Sequence, residues 1–554
     1  MIINVVDYAI ISQGLVAIAR EMGFKLVRSA YSTVLREARD GSAALLDVDG
    51  NTVAQAELIP IQLGTIGQVF SHCLEVYPVE SFEEGDFAII NDPYSGGQHL
   101  QDVFIFSPIF FEGKVIGFAA SCAHHIDVSG GSPGMNSGAT DIYGEGIIIP
   151  PLKLNLKRDW QDGGPFERFI RANVRVPHQT MGDFDAQFAA NAIGAARLVE
   201  LAERYGSEKL MQVMKDLQTY SETRMRAAIR EVPDGVYYGE DFVDDNGVTD
   251  EPIAIRCKLT VSGDTIHIDF DGTASQVGIF INSPFAATVS SAVSAVKAAL
   301  TSPDIPFNAG AMRPITVTAP LGCILNPRKP APVRARLEPC LRAWNATMHA
   351  LSAPAPTGAV ASGFDTTTGV CLAHLGDDAR YSVLIEVLGG GAGGAFEVDG
   401  CHAIDAPLAN CANTPIEAMD QNYSFFRVVE YALRPDSCGD GRWRGGLGFT
   451  RSYEILKDGV ELSMYSDRYR TRPKGLFGGA DGSSGSCRVK RGPETIDLPS
   501  KGTMRMKKGD VIVMTTGGGA GYGPASERPA GSIQADLDDG IITARPGHFQ
   551  LAAQ

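Results

Sequence analysis

Hydrophobic and polar positions follow two different repeats along the chain, and each repeat predicts one kind of secondary structure. Residues 8–22, 182–232 and 286–301 carry apolar side chains three and four positions apart, which predicts helices. The range 182–232 begins with acidic residues and contains Gly206 near its middle, so we expect two helices joined at that glycine. The stretch RAWNATMHALS is a further helix candidate.

Strand patterns lie between these helices. SAALLDVDGNTVAQA predicts a hairpin, because β-forming residues flank a turn at Asp49, Gly50 and Asn51. DFAIINDPYSGG and KVIGFAASCAHHIDV are apolar runs of strand length that end in polar residues, where chemistry is often found. Residues 253–273 alternate polar and apolar positions around a Ser-Gly-Asp turn, which again predicts strands.

The order of these elements predicts an α+β fold with several layers. We expect a mixed α/β N-terminal region with a helical pair at residues 1–235, an α/β middle region at 236–384, and a β-rich, glycine-rich C-terminal region at 385–554. A chain of 554 residues has ample capacity for a buried core.

Composition and charge narrow the class of protein. Hydrophobic residues make up 44% and charged residues 20% of the chain, which argues against disorder. The formal net charge of −17, without clustered lysine or arginine, disfavours nucleic acid and anionic membranes as partners. No apolar run approaches the roughly 18–20 residues of a membrane helix, the N-terminus lacks a basic signal-peptide region, and the ten cysteines show no CxxC spacing. We therefore expect a cytoplasmic protein with reduced thiols.

Two histidine-containing segments carry the candidate chemistry. GGQHLQDV places His99 three residues before Asp102, after two glycines that permit close backbone approach, so a turn would bring both side chains to one ion. In CAHHIDVSGG, His124 and His125 point to opposite faces if they end a strand, so at most one joins that site. Histidine with carboxylates suits Zn²⁺, Mn²⁺ or Fe²⁺. The spacing alone is equally compatible with a hydrogen-bonded polar turn.

Several ordered stretches resemble the hydantoinase B/oxoprolinase family, from about residue 5 to TTGGGAGYGP near the C-terminus. They are SAYSTVLREARDGSAALLDVDGNTVAQAELIPIQLGT, NDPYSGGQHLQDV, AHHIDVSGG, GDFDAQFAAN and RPDSCGDGRWRGGLG. The family includes metal-bearing subunits of ATP-dependent hydantoinases and lactamases, the C-terminal half of 5-oxoprolinase, and subunits of acetone and acetophenone carboxylases.

The resemblance implies a metal site. Its ligands fall on His99, Asp102 and His124 and on an acidic residue of the segment EARD, where Asp40 is preferred and Glu37 is the alternative. The ion would be Zn or Mn, or else Fe.

Two further residues near this site are candidates for catalysis. His125 and Asp127 would orient His124 or receive a proton, although a capped strand end explains them equally well. The chain departs from the family at Gln62, where many relatives have histidine. An amide does not titrate near neutral pH, so any acid–base role at that position is lost.

The resemblance also implies a division of labour between two subunits. A kinase-like, ATP-binding A subunit would phosphorylate a cyclic amide, and the present chain would hydrolyse the product with metal-activated water, in an α2β2 heteromer. This chain has no GxxxxGK[ST] motif, so ATP is expected on the partner. The alternatives are a subunit of an ATP-dependent ketone carboxylase and a non-catalytic scaffold subunit.

Glycine and arginine clusters allow a second source of anion contacts. GGGAGG and GGGAGYG match no nucleotide-binding spacing, and we interpret them as tight turns or close backbone packing rather than phosphate cradles. Arg442 and Arg444 could hold a phosphate, although such arginines more often attach a loop to a carboxylate.

Overall fold

The computed structural model describes residues 4–544 and has an α+β fold built on four sheets. The helices are α1 Val5–Ser29, α2 Thr33–Arg36, α3 Pro60–Leu63, α4 Ile66–Val76, α5 Pro165–Asn173, α6 Pro177–Tyr205, α7 Ser207–Arg230, α8 Phe285–Leu300, α9 Ala309–Met312, α10 Leu337–Ser352, α11 Ile416–Asn422 and α12 Ala530–Asp538. The strands are β1 Gly41–Leu46, β2 Thr52–Gln55, β3 Asp86–Ile90, β4 Asp102–Phe111, β5 Lys114–His124, β6 Leu152–Asn155, β7 Gly235–Val243, β8 Ile253–Ser262, β9 Thr265–Asp269, β10 Ile315–Thr318, β11 Thr368–Leu375, β12 Tyr381–Leu388, β13 Phe426–Leu433, β14 Phe449–Ile455, β15 Glu461–Tyr465, β16 Ser486–Arg491, β17 Glu494–Leu498, β18 Lys501–Arg505 and β19 Val511–Thr515.

The first sheet has the strand order β2-β1-β5-β4-β3-β6 and is antiparallel throughout. In β1, Ala43 and Leu45 pack with α1, α6 and α7, whereas Ala44 and Leu46 pack with α4. Successive residues of a strand point to opposite faces, so this alternation buries both sides of the sheet beneath helices.

The other three sheets complete the core. The second sheet, β10-β9-β8-β7, packs against α8 and α10, and the third, β12-β11-β15-β18, shares a hydrophobic cluster with the fourth, β13-β14-β19-β16-β17. The division predicted between residues 384 and 385 falls inside β12. The middle and C-terminal regions therefore both contribute strands to the third sheet.

Most predicted elements are present, although several of their bounds differ. The first predicted helix corresponds to α1, and the predicted pair at 182–232 corresponds to α6 and α7, which meet at Gly206 with φ of 84°. The candidate RAWNATMHALS forms the greater part of α10. Strand β4, which carries Asp102 at its first position, was not among the predicted strands.

Glycine-rich segments of the C-terminal region pack main chain against main chain. The N–H of Gly391 donates to the carbonyl of Gly517 at 3.0 Å, and the N–H of Gly519 donates to the carbonyl of Gly446 at 2.9 Å. A Cβ on Gly391 would overlap the carbonyl of Gly446, so only glycine permits this spacing. The clusters GGGAGG and GGGAGYG thus serve backbone packing, as interpreted from the sequence.

The two arginines of RWRGGLG make ion pairs near α12. Nε of Arg444 lies 2.9 Å from the carboxylate of Asp536 in α12, and Nη1 of Arg442 lies 3.2 Å from that of Glu527. Both arginines therefore attach the C-terminal segment to the glycine-rich region.

Within residues 4–544 all ten cysteines are free. None of the helices in this range combines the length and apolar character that a membrane crossing requires.

Candidate active site

A small enclosed cavity, the inner cavity, lies where the first sheet meets the third sheet. Asp40, His99 and His124 line it from the first sheet and its loops, and Arg334 and Arg336 line it from the segment that precedes α10. Its volume is about 20 Å³, which is enough for one water molecule. The predicted ligands are thus buried together away from bulk solvent.

The antiparallel pairing of β4 with β5 brings two predicted ligands to one end of the sheet. Asp102 begins β4 and is the register partner of His124, which ends β5. His99 belongs to the turn before β4, where the N–H of Asp102 donates to its carbonyl at 3.1 Å. Nε2 of His99 lies 3.3 Å from Oδ1 of Asp102, and the two imidazole rings have centroids 5.1 Å apart.

The two glycines before His99 make this turn possible. Gly96 has φ of 88°, a left-handed backbone that glycine adopts at low cost. A Cβ on Gly97 would lie within 3.0 Å of the carbonyls of Asn91 and Asp92. The close backbone approach expected from the sequence is therefore present.

Asp40 joins the same end of the sheet just before β1. Its carbonyl accepts a hydrogen bond from the N–H of His124 at 3.0 Å. Nε2 of Gln62, in α3, donates to Oδ1 of Asp40 at 3.1 Å and to Oδ1 of Asp102 at 3.0 Å, while Ser42 donates to its Oε1 at 2.8 Å. The single amide group of Gln62 therefore links two buried carboxylates.

Two buried arginines supply positive charge. Nη2 of Arg336 lies 2.5 Å from Oδ2 of Asp102, and its Nε donates to Gln98 at 2.9 Å. The Arg334 carbonyl lies 2.9 Å from Nδ1 of His99. Nε of Arg334 is buried and has no hydrogen-bond partner among residues 4–544. It is a free donor beside the inner cavity.

Burial and these charges set the protonation of the site. Burial, reinforced by the charge of Asp102, raises the pKa of Asp40 to about 8. Burial together with Arg336 lowers the pKa of His99 to about 4, and burial with Arg334 lowers that of His124 well below its usual value. Burial also favours a raised pKa for Asp102, but His99 and Arg336 outweigh it and hold that pKa low. Both imidazoles are thus neutral near pH 7.

The neutral imidazole of His99 carries a single N–H. Nδ1 lies 2.9 Å from the carbonyl and 3.3 Å from Nη1 of Arg334, whereas Nε2 faces a carboxylate oxygen of Asp102 and has no hydrogen-bond partner within residues 4–544. With the proton on Nδ1, two acceptor atoms, Nε2 of His99 and Oδ1 of Asp102, face each other without a hydrogen between them. A proton or a cation placed between them would remove this repulsion. Nδ1 of His124 likewise has no partner in this part of the chain.

These residues fit a divalent transition metal in donor chemistry, since two neutral imidazoles and two aspartate side chains are ligands such ions accept, with Asp40 giving up its proton on binding. They do not form a ready coordination shell: among residues 4–544, no group of three or more His, Cys, Asp and Glu side chains could hold a metal ion as arranged. Oxygens of Asp40 and Asp102 accept from Gln62, and Asp102 also accepts from Arg336. A bound cation would have to share these oxygens.

Three other predicted residues lie outside the inner cavity. Glu37 is partly exposed and pairs with Arg36 at 2.7 Å, so Asp40 is the better placed of the two acidic candidates. His125 lies on the opposite face of β5, where its ring stacks on Phe184 and Nε2 meets Gln187 at 3.0 Å. These contacts are with α6.

Asp127 makes structural contacts with a neighbouring segment. Its carboxylate accepts hydrogen bonds from the N–H groups of Ser129 and Arg175, and Nη1 of Arg175 lies 3.4 Å from Oδ1. This geometry is that of a residue which positions a loop. The catalytic roles predicted for His125 and Asp127 stay predictions.

Sequence reasoning missed Arg334 and Arg336. Both belong to PVRARLEP, where two arginines alternate with apolar residues just before a helix and are 3% exposed. Arginine is rarely buried without a partner, so its presence in an apolar stretch was the available signal.

Comparison with known proteins covers nearly the whole chain. The family model described as hydantoinase B/oxoprolinase matches residues 4–525. The chain belongs to the hydantoinase B/oxoprolinase family. Family relatives include the B subunit of a putative D-/L-hydantoinase from Pseudomonas sp. (strain NS671), 33% identical over 95% of this chain and 91% of its own length. The beta subunit of the caprolactamase from Pseudomonas jessenii is 29% identical over 98% of this chain and 94% of its own length.

Solved structures support the same family and fold. The crystal structure of the ATP-dependent caprolactamase from Pseudomonas jessenii matches with a TM-score of 0.90 and 26% identity, over 98% of this chain and 95% of that one. A nucleotide-free structure of acetone carboxylase matches with a TM-score of 0.88 and 18% identity, over 98% and 78% of the two chains. At that identity the second match shows the shared fold alone.

Proposed function

We propose that this chain is the metal-dependent B subunit of an ATP-dependent cyclic-amide hydrolase. Relatives named as a hydantoinase, a 5-oxoprolinase and a caprolactamase support this substrate class. The observation that carries the proposal is the meeting of Asp40, His99, Asp102 and His124 beside one buried cavity.

The side chains of the site have separate tasks in this scheme. His99, Asp102, His124 and Asp40 would hold the ion, and Glu37 lies too far out to be preferred. A Zn, Mn or Fe ion bound there would supply hydroxide near neutral pH and positive charge beside an oxygen of the substrate. Gln62 fixes the separation of the two carboxylates.

Arg334 is the residue we assign to the negative charge of the substrate. Its buried, unpartnered Nε donates no hydrogen bond within residues 4–544, so it can contact an anionic oxygen without breaking an existing bond. Arg336 is already committed to Asp102 and Gln98 and instead maintains the charge of Asp102. A donor placed in advance is most effective where charge develops during reaction.

A partner follows from the same proposal. An unstrained amide resists hydroxide, so we propose that a kinase-like A subunit first phosphorylates it with ATP, in an α2β2 complex with this chain. The relatives that are named as B and beta subunits support a multi-subunit assembly.

A ketone carboxylase is the alternative within the same fold. Its support is the structural likeness to acetone carboxylase, which is a likeness of fold. The two activities differ in their need for bicarbonate, and a non-catalytic scaffold would show neither.

The experiment is a ring-opening assay of this chain co-purified with its A subunit. Hydantoin, 5-oxoproline and caprolactam are offered with ATP, with and without bicarbonate, and after chelation followed by Zn²⁺ or Mn²⁺. We expect ATP-dependent ring opening that needs no bicarbonate and returns with the metal. Activity that survives complete metal removal, or carboxylation of acetone in place of ring opening, would contradict the proposal.

A further inference from the structure

A second cavity, here called the outer cavity, lies on the other side of α3 from the inner cavity. Neighbouring residues alternate between the two: Ile59 and Ile61 line the inner cavity, whereas Leu58 and Pro60 line the outer one. Residues of the segment 407–411 are likewise shared between the walls of the two cavities. The N–H of Ile61 donates to the carbonyl of Leu408, in that segment, at 3.0 Å. One thin wall therefore separates the two cavities.

Size distinguishes the two spaces. The inner cavity has a volume of about 20 Å³, which holds about one water molecule. The outer cavity has a volume of about 700 Å³, within the range typical of small-molecule sites. It is the adjacent space in which a ligand of that size can be held.

The outer cavity contains one cation without an anionic partner. Lys297 of α8 is half-buried in its wall, and Nζ contacts the hydroxyl of Thr301 at 3.5 Å. Within residues 4–544 no carboxylate lies within 4.0 Å of this Nζ. Arg20, the other cation of the cavity, is already paired with both oxygens of Glu57 at 3.0 and 3.1 Å.

Part of the remaining wall suits a ligand with an apolar body, and Glu57 and Asp304 also belong to the wall. Val16, Leu63 and Phe307 contribute hydrophobic surface. Burial lowers the pKa of Lys297, an effect that the more distant Asp304 and Glu57 partly offset. A ligand carboxylate at Nζ would replace the hydration that burial removes from this ammonium, and so would stabilise its charge.

We propose that the outer cavity binds the carboxylate of a ring-opened acid through Lys297, with the carbon chain against the apolar wall. The ligand class rests on the proposed function, because adding water across the C–N bond of a cyclic amide leaves a carboxylate and an amine. The cavity is then the place where the product is held next to the site that forms it.

The test is calorimetry on the 554-residue chain with hexanoate and 6-aminohexanoate, and with 1-aminohexane as the probe that lacks the acid. We expect both acids to bind and 1-aminohexane not to bind. Lys297→Met keeps the apolar stem and should weaken both acids about ten-fold or more. Lys258→Met, at an exposed position of β8, is the matched control and should leave the affinities unchanged.

A second variant fills the cavity without touching the charge. Ala298 is an exposed residue of the cavity wall, so Ala298→Trp should abolish acid binding while the unfolding temperature stays unchanged. Equal affinities in wild type and Lys297→Met, no binding of either acid to the wild type, or equal binding of 1-aminohexane would overturn the proposal. Binding is measured without ATP or partner, so its failure is distinct from a failure of ring opening in the two-subunit assay.

Discussion

Nε2 of His99 lies 3.3 Å from Oδ1 of Asp102, and no hydrogen bond joins the two atoms. A neutral imidazole and a carboxylate at this separation form half of the proposed metal site, and His124 and Asp40 lie beside them. His99 and Asp102 are three residues apart and meet within one turn. The other residues around this contact come from distant parts of the chain.

Replacing His99 should remove the metal. His99→Ala deletes one ligand of the proposed site, so we expect wild type to bind about one equivalent of Zn or Mn and the variant to bind much less. Elemental analysis after equilibrium dialysis measures the content directly. His72→Ala removes a partly exposed histidine of α4 and should retain the full content. Equal metal content in His99→Ala and wild type would discredit the site.

Replacing Gln62 should destabilise the fold. Gln62→Leu leaves the facing oxygens of Asp40 and Asp102 without a shared donor, so we expect a loss of about 3 kcal/mol in the free energy of unfolding. Urea unfolding in the presence of a chelator measures it. The same change at Gln212, exposed on α7, should cost less than about 0.5 kcal/mol. A loss at Gln62 no larger than that of the control would show that the amide bridge contributes nothing.

Replacing Arg334 should affect catalysis more than metal binding. Arg334→Met removes the unpartnered donor, and we expect the ring-opening rate to fall about 100-fold or more at unchanged metal content. Steady-state kinetics of the two-subunit complex measures the effect. Arg328→Met, at an exposed position six residues earlier, is the control. A metal content that falls in parallel with the rate would assign Arg334 a structural role instead.

His125 should make stability depend on pH. Burial lowers its pKa from 6.5 to about 4 in the folded protein, so between these values the unfolded chain binds a proton that the folded chain does not. Its contribution to stability is complete above the unfolded pKa and is lost as the pH falls toward 4. Between about pH 7 and about pH 5, wild type should lose about 2 kcal/mol more than His125→Gln. Urea unfolding at both pH values tests this, with His72→Gln expected to follow the wild type.

The glycine packing should not tolerate a methyl group. Gly391→Ala places a Cβ on the Gly446 carbonyl, and we expect a loss of about 3 kcal/mol or more in the free energy of unfolding. Gly531→Ala, in α12, meets no atom within 4 Å and should be neutral or slightly stabilising. Thermal unfolding of both variants decides the point, and similar melting temperatures would contradict it.

The sequence predicted those parts of the fold whose pattern is local. The joint between α6 and α7 was visible because one glycine interrupts two regular apolar stripes. Strand β4 was missed because DVFIFSPIFF is apolar on both faces and has no alternation to detect. Its burial on both sides follows from the helices that cover the first sheet.

The candidate site was predictable in part for the same reason. His99 and Asp102 are neighbours in the chain, and the resemblance to a family supplied His124 and Asp40. Arg336 reaches Asp102 across 234 positions, and nothing near either residue indicates that pairing. The opposite orientations of His124 and His125 did follow from strand geometry, which placed His125 against α6.

The stacked glycine segments limit how this molecule can be altered. Where main chain touches main chain, there is no side chain to shorten, enlarge or recharge, so we expect most substitutions of these glycines to destabilise the fold. Attempts to change ligand preference are better directed at α3, α8 and the loop before α10, which contribute side chains to the walls of the two cavities.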